Sequence, residues 1–418
     1  MRVLVVGGGG REHAIAWKIA QSPRLESLVI APGNAGTAML GENVAVGAED
    51  AEGLLQIAKS RKIDLTVVGP ELPLAEGIVD RFSEAGMPIF GPSRAAARIE
   101  TSKAFAKDLM KRRGVPTAAF EVLQAHNLAR NAVSDCDLPV VIKADGLAAG
   151  KGVVVAETRD QALDTLFDIF ERKRFGAAGR QVIIEEYLEG REVSVFAFVD
   201  GERVSSMVAA TDYKRANDGD QGPNTGGMGS FSPPPVWDGD MEMEVKATVF
   251  EPVVTGLVEE GCPYAGVLYA GLKLTADGPK VLEFNARFGD PETQVILPRM
   301  KSDLLGALEQ TAAGDIRNLD LEWDARACVA VVLASGGYPD AYETGMTITG
   351  LDAIPPDATV FHAGTARSDG VVRTSGGRVM AVSALGETVG SARRTAYKGV
   401  AAIEFEGAYH RGDIASGI

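Results

Sequence analysis

The sequence predicts an α/β fold that passes into a mixed α+β region. The chain opens with a buried-strand run, Arg2 to Val6, which empties into Gly7 to Gly10 and a helix-like stretch from Glu12 to Ala20. Apolar strands and amphipathic helices then alternate up to Gly91-Pro92, the rhythm of one doubly wound parallel sheet. From Glu192 to about Ala313 the strands take on antiparallel character around one long helix near 241–260.

In order along the first unit, a second strand is predicted near Leu28 to Ala31, a third at Asp64 to Val68, a helix at Leu74 to Gly86, and a strand at Pro88 to Phe90. A helix capped by Thr101 or Ser102 runs to Arg113 and stops at Gly114 and Pro116. A small subdomain follows, with strands Pro139 to Lys143 and Gly152 to Ala156. The last part carries strands at Ala327 to Ala334 and Arg378 to Leu385 and a turn-rich Ser335 to Pro339. The pattern thus breaks near Gly91-Pro92, near Leu188 and near Ala327.

The 418 residues, 45% hydrophobic and 24% charged, provide for a large core. No run of about 18 apolar residues is present, nor a basic flank, apolar stretch and cleavage site at the start, so a cytoplasmic location without membrane contact is expected. Cys136, Cys262 and Cys328 are odd in number and widely spaced, which argues against a disulfide framework or zinc site. A net charge of −15 argues against non-specific nucleic-acid binding. No obligate protein partner is evident.

Gly7 to Gly10 invite a dinucleotide reading, but the G-x-G-x-x-G spacing fails at Glu12 or His13, and the second strand ends in Ala31-Pro32-Gly33-Asn34 without an acid. The alternatives are a tight turn or a phosphate site on helix amides, with Arg11 as a forked donor. Pro32 to Thr37 adds a loop at the same sheet edge. Lys143 ends a strand before Asp145, Gly146, Gly150 and Lys151, a pairing that suits nucleotide phosphates yet does not match a P-loop. Glu185, Glu186 and Glu189 suit either an adenine and ribose reader or a solvated strand end. Gly222 to Gly229 is either a flexible connector or a cradle of backbone amides.

The sharpest segment is Leu282 to Glu292. Alternation puts Glu283, Asn285 and Arg287 on one strand face and Leu282, Phe284 and Ala286 on the other. Hard oxygen donors beside an arginine suggest Mg²⁺ with nucleotide phosphates; the plain alternative is an amphipathic edge strand.

Together VLVVGGGGREHAIAWK, APGNAGTA, DLTVVGPELPL, IFGPS, VVIKADGLAAGKGV, VIIEEYLEG, GPNTGGMG, LYAGLKL, LEFNARFGDPETQ, GGYP and FHAGT closely resemble the glycinamide ribonucleotide synthetase family over essentially the whole chain. The resemblance implies an ATP-grasp fold with an amino-terminal domain at 1–101, a lid at 122–190, a central domain of 102–121 with 191–326 and a carboxyl-terminal domain at 327–418. It also implies ligation of glycine to 5-phosphoribosylamine with ATP and Mg²⁺ or Mn²⁺, through glycyl phosphate. On matching positions, Lys103 and Lys143 would hold ATP phosphates, Gly146, Gly150 and Gly152 the lid loop, Glu185, Glu186, Tyr187 and Leu188 the adenine, and Glu192 the ribose. Glu283 and Asn285 would bind the metal, with Arg287 near the transferred phosphoryl group. Gly9, Gly10, Arg11, Glu12, Asn34, Gly36 and Thr37 would lie on the phosphoribosylamine side. Asp212, Lys214, Asn224, Thr225, Gly226 and Gly227 would line the substrate site.

The chain departs from the family at Tyr213, where histidine is common, and at Ala286, where cysteine is common. The 265–275 segment supplies no acidic metal ligand, which leaves one or two ions open. Competing readings are a bicarbonate-using ATP-grasp carboxylase and a nucleotide sensor without turnover; intact Lys143, Glu283 and Asn285 argue against the sensor.

Overall fold

The computed structural model describes residues 1–147 and 152–418. Among these, β1 (Arg2–Gly7), β2 (Ser27–Pro32), β3 (Glu42–Asn43), β4 (Leu65–Val68) and β5 (Ile89–Phe90) form a parallel sheet in the order β3-β2-β1-β4-β5. Strand order reverses at β1, so Gly7 to Gly10 lie at the switch point, where a crevice opens at the carboxyl edge. Both faces of β1 are covered, Leu4 and Val6 by one apolar cluster and Val3 and Val5 by another.

The helix expected from Leu74 to Gly86 is two helices, Glu71–Glu76 and Ile78–Glu84. They break at Gly77, whose φ of 90° is left-handed backbone that glycine tolerates. Ser102 rather than Thr101 caps the helix Lys103–Arg113, its hydroxyl accepting from Phe105 N at 3.1 Å. That helix ends at Gly114 as predicted. The long helical stretch begins at Gly239, two residues before the expected Met241, because Asp238 caps it.

The lid sheet contains β6 (Phe120–Leu123), β7 (Val140–Ala144), β8 (Val153–Ala156) and β9 (Val182–Glu186), antiparallel in the order β6-β9-β7-β8. It packs helices His126–Asp135 and Arg159–Phe170 into a core of its own, which includes Ala129, Ile142, Leu166 and Ile184.

Next come β10 (Arg191–Asp200), β11 (Val208–Asp212), the hairpin of β12 (Arg215–Asn217) and β13 (Gln221–Asn224), β14 (Gly229–Ser232), β15 (Ala265–Thr275) and β16 (Gly278–Asn285). The carboxyl-terminal part adds β17 (Ala327–Ala334), β18 (Ala358–His362), the hairpin of β19 (Thr365–Ser368) and β20 (Val371–Thr374), and β21 (Arg378–Gly386). One eight-stranded sheet runs β16-β15-β10-β11-β14-β17-β21-β18. It crosses the sequence division at 327, because β14 pairs with β17 from Gly229↔Val331 to Ser232↔Cys328. No helix among the described residues is long and apolar enough to cross a membrane.

Candidate active site

Strand β16 sets the centre. Its antiparallel register on β15 pairs Tyr269 with Asn285 and Gly271 with Glu283, then slips so that Leu272 faces Val281. The slip leaves Leu282 as the extra residue of a bulge. Leu282 is therefore only half-buried, while Phe284 and Ala286 fill the core as expected. The bulge has a chemical consequence: the Leu282 carbonyl accepts Lys143 Nζ at 3.0 Å, which brings the lid lysine onto the strand of Glu283 and Asn285.

Glu283 and Asn285 offer one carboxylate and one amide oxygen on the same half-exposed face. Among the described residues no group of three or more His, Cys, Asp or Glu converges as a metal site. A donor set this small fits Mg²⁺, which commonly binds one or two carboxylates and completes its shell with phosphate and water. Asn285 Oδ1 also accepts from Arg287 Nη2 at 3.2 Å, so the amide is already turned toward the arginine.

Arg287 belongs to a charge cluster that reaches the amino-terminal domain. It pairs with Glu100 at 3.0 Å and Glu71 at 3.2 Å, and Glu100 Oε2 accepts Ala286 N at 2.7 Å. Burial pushes Glu100 up; burial acts the same way on Glu71, but Arg287 and Arg11 outweigh it and bring Glu71 down to about 2. Arg11 is buried against Glu12 at 2.5 Å and the Phe288 carbonyl at 3.3 Å, with Glu71 at 3.7 Å. Arg11 thus ties the glycine turn to the 283–292 segment instead of projecting as the open phosphate donor its position suggested. Glu12 Oε2 takes the amide of Gly9 at 2.7 Å, a capping contact that uses one amide expected for phosphate.

Asn34 is similarly committed. Its Nδ2 donates to Gly8 O at 2.9 Å and His362 O at 2.8 Å, while Oδ1 accepts from Gly36 N at 2.8 Å and Thr37 N at 3.0 Å. Asn34, Gly36 and Thr37 hold the two loops of the crevice together. His13 completes this junction: its Nδ1 accepts from His362 N at 2.7 Å, and burial brings its pKa down to about 3.

On the lid side, Glu185 Oε2 lies 2.9 Å from Lys143 Nζ and 3.0 Å from Lys107 Nζ, all three side chains deeply buried. Glu185 Oε1 is buried without a partner. Burial, with Lys143 adding to it, lowers Lys107 to about 8 against the opposing pull of Glu185. Lys107 was missed by the sequence reading, since mid-helix lysines ordinarily face solvent. Lys103 Nζ reaches the Gly146 carbonyl at 3.1 Å, and Asp145 joins the same corner by accepting Ala104 N at 3.1 Å. Glu186 accepts Ala119 N at 2.9 Å, Tyr187 is exposed with Lys273 Nζ 5.9 Å from its ring centre, and Leu188 is buried. Gly152 O accepts Ala144 N at 2.8 Å, whereas Gly150 lies outside the described residues.

Lys214 gathers the remaining acids, with Asp212 at 2.9 Å and Glu192 at 3.3 Å; Lys273 also reaches Glu192 at 3.2 Å. Burial works against the Lys214 charge, but Asp212, Tyr269, Glu192 and Glu283 hold its pKa well above the ordinary lysine value. Behind the pair runs a buried chain that sequence reasoning missed: Asp212 to Ser194 at 3.5 Å, Ser194 to Tyr269 at 2.8 Å, and Tyr269 OH to Glu292 at 2.9 Å. Burial and Asp212 push Glu292 up to about 7, with Lys214 opposing. The only sequence signal was the period-two spacing that puts Ser194 on the face of Glu192.

The 222–229 loop is neither connector nor open cradle. Thr225 N donates to Lys214 O at 2.7 Å, Gly226 N to Tyr338 OH at 3.0 Å, Gly227 N to Thr225 Oγ1 at 2.9 Å, and Met228 N to Tyr213 O at 2.8 Å. Asn224 is held by its backbone pairing with Arg215. The amides expected to greet a ligand instead brace the loop.

Family comparison covers nearly the whole chain. Residues 1–100 match the phosphoribosylglycinamide synthetase N domain, 101–293 its ATP-grasp (A) domain and 328–417 its C domain. A phosphoribosylamine–glycine ligase from Halalkalibacterium halodurans is 51% identical, covering 100% of this chain and 97% of the relative. One from Caldanaerobacter subterraneus subsp. tengcongensis is also 51% identical and covers 100% of both chains. The crystal structure of phosphoribosylamine–glycine ligase from Thermotoga maritima superposes with a TM-score of 0.88 at 36% identity, over 99% of this chain and 100% of that one. A Hydrogenobacter thermophilus biotin carboxylase domain shares the fold alone, with a TM-score of 0.75 at 16% identity over 98% of this chain and 91% of that one. The chain belongs to the phosphoribosylglycinamide synthetase family and carries its ATP-grasp domain between the family's N and C domains.

Proposed function

We propose that this protein is a cytoplasmic ligase that joins glycine to 5-phosphoribosylamine, giving glycinamide ribonucleotide, ADP and phosphate, the glycinamide-forming step of purine synthesis. The observation that supports the reading is the Lys143 contact to Leu282, which holds this lysine on the strand that carries Glu283 and Asn285. In-line phosphoryl transfer asks mainly for such positioning and charge cancellation.

In this reading Lys103 and Lys143 neutralise the ATP phosphates, the loop of Gly146, Gly150 and Gly152 covers them, Glu185 to Leu188 receive adenine, and Glu192 takes the ribose. Glu283 and Asn285 would hold Mg²⁺ or Mn²⁺, which when bound would neutralise phosphate charge. Arg287, kept cationic by Glu71 and Glu100, stabilises the moving phosphoryl group. A glycine carboxylate oxygen forms the new bond to the γ-phosphorus as the bond to the ADP oxygen breaks. The amine nitrogen then bonds to the carbonyl carbon, the carbon–oxygen bond to phosphate breaks, and nitrogen gives up one proton. Asp212 and Lys214 pair opposite charges, which suits the two ends of zwitterionic glycine. Asn34, held by Gly36 and Thr37, serves the amine side by fixing the glycine turn at Gly8, and Arg11 by holding Glu12, which takes the Gly9 amide.

Glycine labelled with oxygen-18 in its carboxylate tests the order of events. One labelled oxygen is expected in the released phosphate during complete turnover. Unlabelled phosphate rejects glycine activation.

A further inference from the structure

Arg378, the first residue of β21, leaves the carboxyl-terminal part of the sheet and joins two segments of the candidate site. Its Nη1 donates to Gly226 O at 2.7 Å and Asp290 O at 2.9 Å, and its Nη2 to Asp290 Oδ2 at 2.8 Å. The other Asp290 oxygen, Oδ1, accepts Gln294 Nε2 at 2.6 Å. An acceptor at that point fixes which end of the amide faces it: nitrogen toward Asp290, oxygen away. The result is a buried Gln294 Oε1 with no partner. A buried acceptor left unmade is costly, so a native one asks for an explanation.

The orientation is explained by the other end of the amide, which faces the glycine turn. A Cβ on Gly10 would stand 2.7 Å from Gln294 Nε2 and 3.7 Å from Asp290 Oδ1, so the glycine turn rests directly on this pair with no side chain between. All three parts of the chain meet here, on the side of the amino-terminal crevice. We propose that Arg378 is a positioning residue for the amine substrate: through Asp290 it orients Gln294, on whose amide nitrogen the Gly10 turn of the amine side rests. This rests on the functional reading above and names residues of its amine half. Lysine at 378 would keep the charge but lose the fork that grips two carbonyls and a carboxylate together.

The test is steady-state kinetics of Gln294→Met and Arg378→Lys, varying ATP, glycine and 5-phosphoribosylamine in turn, with thermal melts alongside. The expected result is selective: KM for the amine rises about tenfold or more relative to the KM values for ATP and glycine. The double variant should be little worse than the worse single one, because Arg378 acts through Gln294. Gln294→Asn, whose amide is one methylene short, should show the same selective rise if the Met variant does not melt cooperatively. Equal shifts in all three KM values, or additive effects in the double variant, overturn the proposal. Wild-type turnover driven by bicarbonate in place of glycine would instead overturn the functional reading itself.

Discussion

Two charged clusters flank strand β16, and they are built on opposite principles. The one around Arg287 and Arg11 is closed, with two arginines facing Glu12, Glu71 and Glu100. The one at the lid has cations in excess: Lys107 and Lys143 share a single Glu185 oxygen. Paired arginines with satisfied acids make a rigid joint between domains, whereas lysines in excess of carboxylate keep a positive field that a polyphosphate can complete. The contrast separates charge already balanced by buried acids from charge left in excess within one site, despite a net charge of −15.

The largest effect should come between the clusters. Glu283→Gln removes the formal charge offered to the metal and should lower kcat by roughly 100-fold or more with an unchanged melting curve. Near-normal turnover with unaltered Mg²⁺ dependence would remove Glu283 from the site. Breaking the closed cluster should show in stability instead: Arg11→Met leaves buried acids short of a partner and should cost about 3–5 kcal/mol in urea unfolding. Opening the lid cluster should do the reverse. Lys107→Met leaves Lys143 on Glu185, so the ATP KM should rise about tenfold while stability changes by less than for Arg11→Met. If the two variants exchange these signatures, the division between balanced charge and charge left in excess is wrong.

Smaller effects lie in pH dependence. Glu292, raised to about 7 by burial and Asp212, contributes stability that is full below the unfolded carboxyl value near 4.5 and is lost as pH rises through about 7. Glu292→Gln should flatten that decline, worth about 3 kcal/mol at most. His13 has the opposite sign: held neutral down to about 3 by burial, it makes the native state lose stability as pH falls below about 6.5. His13→Gln should therefore lessen acid sensitivity, read from urea midpoints between pH 4 and 7, and an unchanged acid limb would discount the buried pair.

Legibility followed locality. The opening strand and glycine turn, the Ser102 cap, and the burial of Phe284 and Ala286 each depend on neighbours a few residues away, and the periodic pattern announced them. Arg11 and Asn34 were placed correctly at the crevice, but their exposure was not legible: the partners that absorb them, Phe288 and His362, are hundreds of residues distant. The bulge at Leu282 was equally hidden, since it exists only against the register of β15. Lys107 resembled a surface lysine until β9 set Glu185 beneath it.

By itself, then, the sequence determined the family, the alternation of elements, and the oxygen donors Glu283 and Asn285 on one strand face, because local backbone preference and period-two alternation are written residue by residue. Tertiary structure alone decided which charges are spent and which remain for a ligand. Whether an arginine is a joint or a donor depends on how many acids the fold buries around it. Arg378 received that role only when β21 came to lie beyond β17, and the chain fold set its guanidinium on Asp290.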